Sequence, residues 1–565
     1  MSQPNNQMIQ RNLRFLAILL AGLASIAIFR FTQISLFKTS NGQDLTAYHE
    51  TGTKRSSITE ARRGSIFDQQ GNPIAMDTTS YSLFAVLRSD WGDTNTVNDP
   101  DVTAKVLAKH LGLDRDKILA QLTQNNVYQV EFGNAGQHLS SETKKAIEVE
   151  NLPGLVFVSE TTRKYVNDVY ASHLIGYATA AAKEEDQPLS AQVLEGKLGL
   201  EAAYNVSLSG QDGNQSSTRQ LIGKDLHLTL DSRLQNKLEE LMTQYQMTYQ
   251  PEALQAYLVE AKTGKLVAAS QRPSFNLNSR EGIEAEWKNL MVEEAYEPGS
   301  TIKILTMSVA YDRQLYKPGE LYQSGSIQVY DQVVKDYNKV GWGQISFEEG
   351  LARSSNVAMV NLVNRMGDQE WVKKLGDFGF GKGTDFGLEN ETTGNFQFDN
   401  PVSRIMSGFG QGFSATPIQL LQAYSSIGNQ GQMLKVQVVQ GLDSAGEFQA
   451  RVLGKPISKE AANHVLQLMV DTVEKPYGTA VSFRNPYVKV AAKTGTAQIA
   501  DPNGSGYLTG ANDYYHSVVT FFPADNPKYM LYMAMKRPQQ DHGLIGSQIL
   551  GKLFNDYIEY IMVKP

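Results

Sequence analysis

Tyr296-Glu297-Pro298-Gly299-Ser300-Thr301-Ile302-Lys303 carries two signals at once. Pro298 and Gly299 are turn residues. Ile302, Leu305 and Val309 follow them with a rough helical apolar spacing. The pattern predicts that Ser300 opens a buried helix and that Ser300 and Lys303 share one face of it. A serine hydroxyl is a poor nucleophile until a neighbouring base takes its proton. A neutral lysine amine one turn along is such a base. The free N–H groups of a helix start lie beside the hydroxyl, where a carbonyl oxygen gains charge during attack.

Ser-x-x-Lys by itself is a weak pattern. It occurs at Ser35/Lys38, Ser141/Lys144 and Ser300/Lys303, and a lone copy reads as a serine near a solvated lysine. Two further motifs single out the third copy. Ser354-Ser355-Asn356 stands just before Val357, Val360 and Val363, which start another apolar helix. Lys493-Thr494-Gly495-Thr496 follows Val488 and Val490, which alternate as in a strand. Decoys of both motifs exist at Ser274-Phe275-Asn276 and Lys262-Thr263-Gly264, but both precede Ser300. The second lies between Leu258-Val259 and Leu266-Val267 and reads as a hairpin turn. Taken singly, Asn356 reads as a helix cap and Lys493 as a solvated strand lysine. The ordered trio reverses both readings.

The trio resembles the serine, Ser-x-Asn and Lys-Thr-Gly motifs of penicillin-binding proteins and serine β-lactamases. From the apolar segment near the N-terminus to near Pro565, the chain is similar to class B penicillin-binding proteins, in particular the division-type transpeptidases of streptococci. The resemblance implies that Ser300 attacks the carbonyl between the last two D-alanines of a peptidoglycan stem peptide, and that Lys303 receives its proton. Burial and the nearby Lys493 cation would keep Lys303 neutral. Ser354 would relay a proton to the leaving amine, and Asn356 would hold the peptide's amide. Thr494 and Thr496 would bind the terminal carboxylate beside Lys493, with Gly495 between them. The backbone N–H groups of Ser300 and Thr496 would form the oxyanion hole, and Gln498 would touch substrate. Gly408-Phe409-Gly410-Gln411-Gly412 resembles a family loop and is assigned to backbone shape. No metal or cofactor is implied. β-Lactams would acylate the same serine.

Composition agrees with an exported globular enzyme. The chain has 565 residues, so two or more domains are expected, and 41% hydrophobic with 20% charged residues is ordinary. A net charge of −7 does not point to nucleic acid. Cysteine is absent, which excludes disulfides, thiolate metal sites and a cysteine nucleophile.

Residues 1–14 are expected to be a short cytoplasmic tail and 15–36 a transmembrane anchor from Phe15 to Leu36, with Arg30 near its outer end. Arg11 and Arg14 precede the span and no acid does, which places the bulk of the chain outside a bacterial cell membrane. The alternative is a cleaved signal peptide, for which the run is long and a convincing cleavage site is lacking. Ala17, Ala21 and Ala24 form a stripe that either packs on another membrane helix or faces lipid. Residues 37–60 read as a linker, 61–225 as a dimerisation-type pedestal, and 226–565 as the transpeptidase domain. The fold class expected is α+β: an elongated mixed pedestal, then a penicillin-binding, serine β-lactamase-like domain. Its antiparallel sheet would carry helices on its faces and a helical lobe.

Arg62-Arg63-Gly64 to Gly71, the segment from Arg163 to Tyr177, and Gly199-Leu200-Glu201 resemble pedestal segments of the family. Trp91 to Gly154 reads as an inserted subdomain, helical from Val102 to Leu122, and His173 as a structural histidine. The residues after Thr496 are expected to complete the domain without the repeated domains that some close relatives carry. No acidic motif set of a glycosyltransferase precedes Leu226, so glycan polymerisation would come from a partner. The resemblance implies a polytopic polymerase of the shape, elongation and division (SEDS) type and other divisome proteins. Rival readings are a D,D-carboxypeptidase, a β-lactamase and, outside enzymes, a β-lactam sensor.

Overall fold

The computed structural model describes residues 62–88, 95–180, 194–210, 223–501, 504 and 506–563, together with the strand pairs at 39–40 and 43–44. The chain divides into two compact units. The first is Met1–Arg62 with Gly210–Ile222, and the second is Arg63–Ser209 with Gly223–Pro565. In the first, Thr39–Ser40 pairs antiparallel with Gln43–Asp44. The expected membrane span from Phe15 to Leu36 lies outside the described residues. Among the described residues, no helix is long and apolar enough to cross a membrane.

The second unit begins with a sheet of β1 (Ile66–Phe67), β2 (Pro73–Val86), β3 (Gln129–Glu131), β4 (Leu155–Tyr165) and β5 (Leu226–Leu228). β4 pairs antiparallel with β2, and β1 pairs in parallel with β5. Val439–Leu442, from far along the chain, continues this sheet beyond β5. Arg63, Arg163 and Glu201 are buried beneath it, and both arginines donate to the Glu201 carboxylate, at 2.6 and 2.7 Å. Burying any one of these charges without the others is costly. In the segment read as an insertion, the single helical pattern expected from Val102 to Leu122 is two helices, Pro100–Leu111 and Arg115–Leu122, and a third, Ser141–Glu148, follows. Gly112 ends the first in the left-handed conformation and Asp114 caps the second. Leu107, Ile118, Val130 and Ile147 close a small core of their own against Leu83 and Ala85 of β2.

The second sheet is formed by β6 (Pro251–Glu260), β7 (Leu266–Arg272), β8 (Ala491–Gln498), β9 (Tyr514–Phe522) and β10 (Tyr529–Pro538). Its order is β7-β6-β10-β9-β8 and every pairing is antiparallel. β6 is buried from Ala253 to Val259, Gln255 included, because both of its faces are covered. Leu254, Ala256 and Leu258 meet α1 (Ser232–Tyr249), while Tyr257 and Val259 belong to the core on the other face. Asp231 caps α1, accepting from the N–H groups of Arg233 and Leu234. The helix runs on to Tyr249, with Tyr245 and Tyr249 extending its buried stripe.

The opposite face carries α2 (Lys303–Asp312), α3 (Phe347–Ala352), α4 (Asn356–Met366), α5 (Pro417–Gly428) and α6 (Lys459–Glu474). α5 is buried throughout. The last helix, α7 (Gly546–Val563), returns to α1's side. Lys262-Thr263-Gly264 is the turn between β6 and β7, so this Lys-Thr-Gly has a structural job. This mixed α/β fold brings three distant segments together where the helices meet the outer strand β8.

Candidate active site

Ser300 lies in a 3-10 turn, Gly299–Ile302, that runs directly into α2. Ile302, Leu305 and Val309 are buried, as their spacing predicts. Two glycines make the turn possible. Gly299 has a φ of +57°, and a Cβ there would lie 2.9 Å from Thr496 O. Gly410 has a φ of +89°, and a Cβ there would lie 2.0 Å from Gly299 O. The Gly299 N–H donates to Gly410 O at 3.0 Å. The Gly408–Gly412 loop therefore braces the Ser300 turn by backbone contact, which only glycine allows. Behind it, Tyr424 of α5 donates to Thr301 Oγ1 at 2.7 Å, and Thr301 donates to Pro298 O at 2.8 Å.

Lys303 is 0% exposed. Its Nζ contacts Ser354 O at 2.7 Å, Ser354 Oγ at 3.2 Å and Asn356 Oδ1 at 2.8 Å. The expected direct bond to Ser300 is not among them. Such bonds commonly tighten only when substrate is present. Two of the three partners, Ser354 O and Asn356 Oδ1, can only accept. A neutral amine has two hydrogens for those acceptors and one lone pair left for a hydroxyl. Burial pushes the Lys303 amine well below the usual lysine range. The Lys493 charge pushes it further, and the Asp336 charge opposes both.

Ser354 follows α3 and precedes the α4 cap, with a φ of +59° that non-glycine residues seldom adopt. Its N–H donates to Leu351 O, and that of Ser355 donates to Gly350 O. The cap of α4 is Ser355, whose Oγ accepts from Ala358 N–H, so Asn356 is not the cap. Asn356 Nδ2 donates to Lys335 O at 3.0 Å. One N–H and one lone pair of the amide stay open for a ligand.

Lys493, also 0% exposed, lies within β8 and is buried rather than solvated. Val488 and Val490 lead into the strand, and the Lys489 carbonyl accepts from Ala524 N–H. Lys493 Nζ donates to Ser354 Oγ at 2.9 Å and Thr494 O at 2.8 Å. Burial pushes its amine down to about 7. Ser354 Oγ is thus shared by two buried amines from two different elements.

Thr494 is buried and its Oγ1 donates to Thr479 Oγ1, whereas Thr496 is exposed. A Cβ on Gly495 would meet Ser517 Oγ at 2.4 Å, Thr301 Cγ2 at 3.1 Å and Pro298 O at 3.2 Å. The glycine lets the strand press against the Ser300 turn. Gln498 ends β8 and lines a cavity of about 470 Å³ with Glu297, Tyr515 and Lys536. A second groove, of about 790 Å³, runs from Asn356 along Lys335, Phe409 and Gly412 to Tyr507.

Sequence reasoning missed Glu297, which accepts from Gly412 N–H and Tyr507 OH, and Asp336 beneath the Ser-x-Asn turn. Glu297 was legible from its place beside the turn. Asp336 lies in no motif. His173 is buried, its Nε2 paired with Glu286 O at 2.8 Å, and burial pushes it down to about 4. It stands outside this constellation.

The match to known proteins covers both halves of the chain. Residues 255–559 match the penicillin binding protein transpeptidase domain, and 58–238 the penicillin-binding protein dimerisation domain. Stage V sporulation protein D of Bacillus subtilis is 28% identical, over 98% of this chain and 86% of its own length. Peptidoglycan D,D-transpeptidase FtsI of Escherichia coli is 24% identical, over 89% and 84%. The crystal structure of penicillin binding protein 2X from Streptococcus thermophilus superposes with a TM-score of 0.74 at 30% identity, covering 90% of this chain and 80% of that one. With a dimerisation domain ahead of a transpeptidase domain that spans more than half its length, this chain belongs to the class B penicillin-binding proteins.

Proposed function

We propose that this chain cross-links peptidoglycan stem peptides through an acyl-enzyme on Ser300, and that β-lactams acylate the same residue. The observation that carries the reading is Ser354 Oγ held between Lys303 and Lys493. Lys303 takes the Ser300 proton as Oγ attacks the carbonyl between the last two D-alanines. Ser354 passes a proton to the leaving amine, and D-alanine departs. The amine of a second stem then attacks the ester and restores Ser300. Lys493, Thr494 and Thr496 receive the terminal carboxylate, Asn356 the peptide amide, and the N–H groups of Ser300 and Thr496 the oxyanion, each such donor contributing about 3 kcal/mol. An extended peptide added along the outer edge of β8 would pass Gln498.

The product decides the reading. A radiolabelled stem-peptide donor and an amine acceptor should yield the cross-linked peptide. Donor that is only hydrolysed would instead mean a D,D-carboxypeptidase.

We place the anchor at Phe15 to Leu36, the pedestal at 61–225, the catalytic domain at 226–565 outside a bacterial cell membrane, and the activity in division. The anchor contacts a polytopic SEDS-type glycan polymerase. Co-purification that persists after residues 15–36 are replaced by an unrelated span would remove that contact.

A further inference from the structure

Asp336 follows the hairpin of Ser326–Val329 and Gln332–Lys335 and is 1% exposed. Its carboxylate accepts from Gly325 N–H at 2.8 Å, Ser355 Oγ at 2.8 Å and Val357 N–H at 3.1 Å. Two of these donors flank Asn356, and Ser355 separates it from Ser354. We propose that Asp336 is a positioning residue of this active site: it clamps the Ser354–Asn356 turn against the two lysines and supplies a buried negative charge that offsets them. The proposal rests on the reading of Ser300 and Lys303 given above, and Asp336 itself touches no substrate.

The clamp explains how Ser354 keeps its backbone conformation. A non-glycine residue stays at positive φ only where its surroundings over-determine it. On one side, Ser354 N–H is tied to Leu351 O. On the other, the next residue both caps α4 and donates to Asp336, while Val357 N–H donates to the same oxygen. If this turn relaxed, Ser354 Oγ would leave its place between Lys303 and Lys493.

Lys303 and Lys493 are both fully buried and repel each other when both are ammonium. Asp336 is the acid whose charge favours the ammonium form of Lys303. The other groups in contact with the Lys303 amine, Ser354 and Asn356, are uncharged. On its far side, Asp336 faces Tyr322, whose hydroxyl burial holds un-ionised, with Glu349 and Arg353 beyond. Those two pair with each other at 2.7 Å. One buried carboxylate beneath two buried amines carries no net charge when the amines hold one proton between them. That state has one neutral base and one cation, and the two amines titrate as a unit.

The sign follows. Removing the Asp336 charge makes the doubly protonated pair less favourable, so the acid limb of the acylation profile moves to lower pH. The test is the rate of acylation by a fluorescent penicillin across pH, on the full chain, with melting temperature as the folding check. Asp336→Asn should lower the plateau about tenfold or more through the loosened turn and move the acid limb down by about one pH unit. Ser355→Ala keeps the Asp336 charge and removes both the bond to it and the α4 cap, so its plateau should fall with the limb in place. An acid limb that stays put in folded Asp336→Asn overturns the proposal, as does an unchanged plateau in Ser355→Ala. The second result stands even if Asp336→Asn fails to fold. Ser300→Ala separates the two readings. Labelling that survives it overturns the nucleophile assignment and this inference together. Labelling lost there, with an unmoved limb in Asp336→Asn, overturns this inference alone.

Discussion

At the scale of single residues, the choice among three Ser-x-x-Lys copies has a physical outcome. Ser141 opens a short surface helix, where Lys144 pairs with Glu148 at 2.7 Å and lies over the Tyr81 ring. Ser300 instead stands one turn from a fully buried amine. Ser300→Ala should abolish labelling by a fluorescent penicillin at an unchanged melting temperature, while Ser35→Ala and Ser141→Ala label like wild type. Equal labelling by Ser300→Ala would remove the nucleophile assignment. The motif residues were legible because each is a chemical type at a fixed order. Their partners were less so. That Ser355 rather than Asn356 caps α4 depends on which of two polar neighbours turns back to the helix. That Asp336 lies beneath the turn depends on a hairpin folding over it, and local sequence carries neither fact.

At the scale of elements, the Ser300 turn is held by close backbone approach as well as by the Tyr424 and Thr301 side chains. Gly410→Ala tests this. Its Cβ would overlap Gly299 O, and its φ of +89° is strained for alanine. The substitution should cost about 1–3 kcal/mol of stability and lower acylation beyond any effect of unfolding. Calorimetry with acylation rates checks it, and unchanged acylation in the folded variant would refute the bracing role. Helices with a buried stripe were legible by period, as in α2 and α4. Boundaries were not: β8 starts later than its alternating valines suggest. The difference arises from tertiary pairing, which overrides local pattern. The paired sheet across β1, β5 and Val439–Leu442 was invisible because its strands are short and far apart in sequence.

At the scale of the whole molecule, the question is how the acyl-enzyme is discharged. Hydrolysis needs a base that activates water beside Ser300. The acids between Asn356 and Lys493 that invite the role are Glu389, which is exposed, and Glu391, which accepts from Thr384 N–H. Glu297 is bound to Gly412 and Tyr507, and burial pushes its carboxyl up. The adduct with penicillin should therefore persist for many minutes or longer. Each tenfold loss of deacylation rate corresponds to about 1.4 kcal/mol of barrier. Intact-protein mass spectrometry over time reads it directly, and an adduct gone within seconds with hydrolysed penicillin accumulating would point to a β-lactamase. The two-part architecture was legible from ordered motifs spread along the chain. The expected anchor is a matter of hydropathy alone, since it lies outside the described residues.

The outermost place of β8 in its sheet has a further consequence. On the proposed reading, what that edge offers a peptide is amide and carbonyl, and every residue type except proline displays both. Short of proline, point mutation cannot erase such a handle. Escape from a molecule that imitates the peptide must therefore come from the frame around the strand: the glycines that let it lie close, or the side chains at its rim. Those changes also reshape the seat of the natural peptide, so resistance and fitness would be drawn from the same small set of positions.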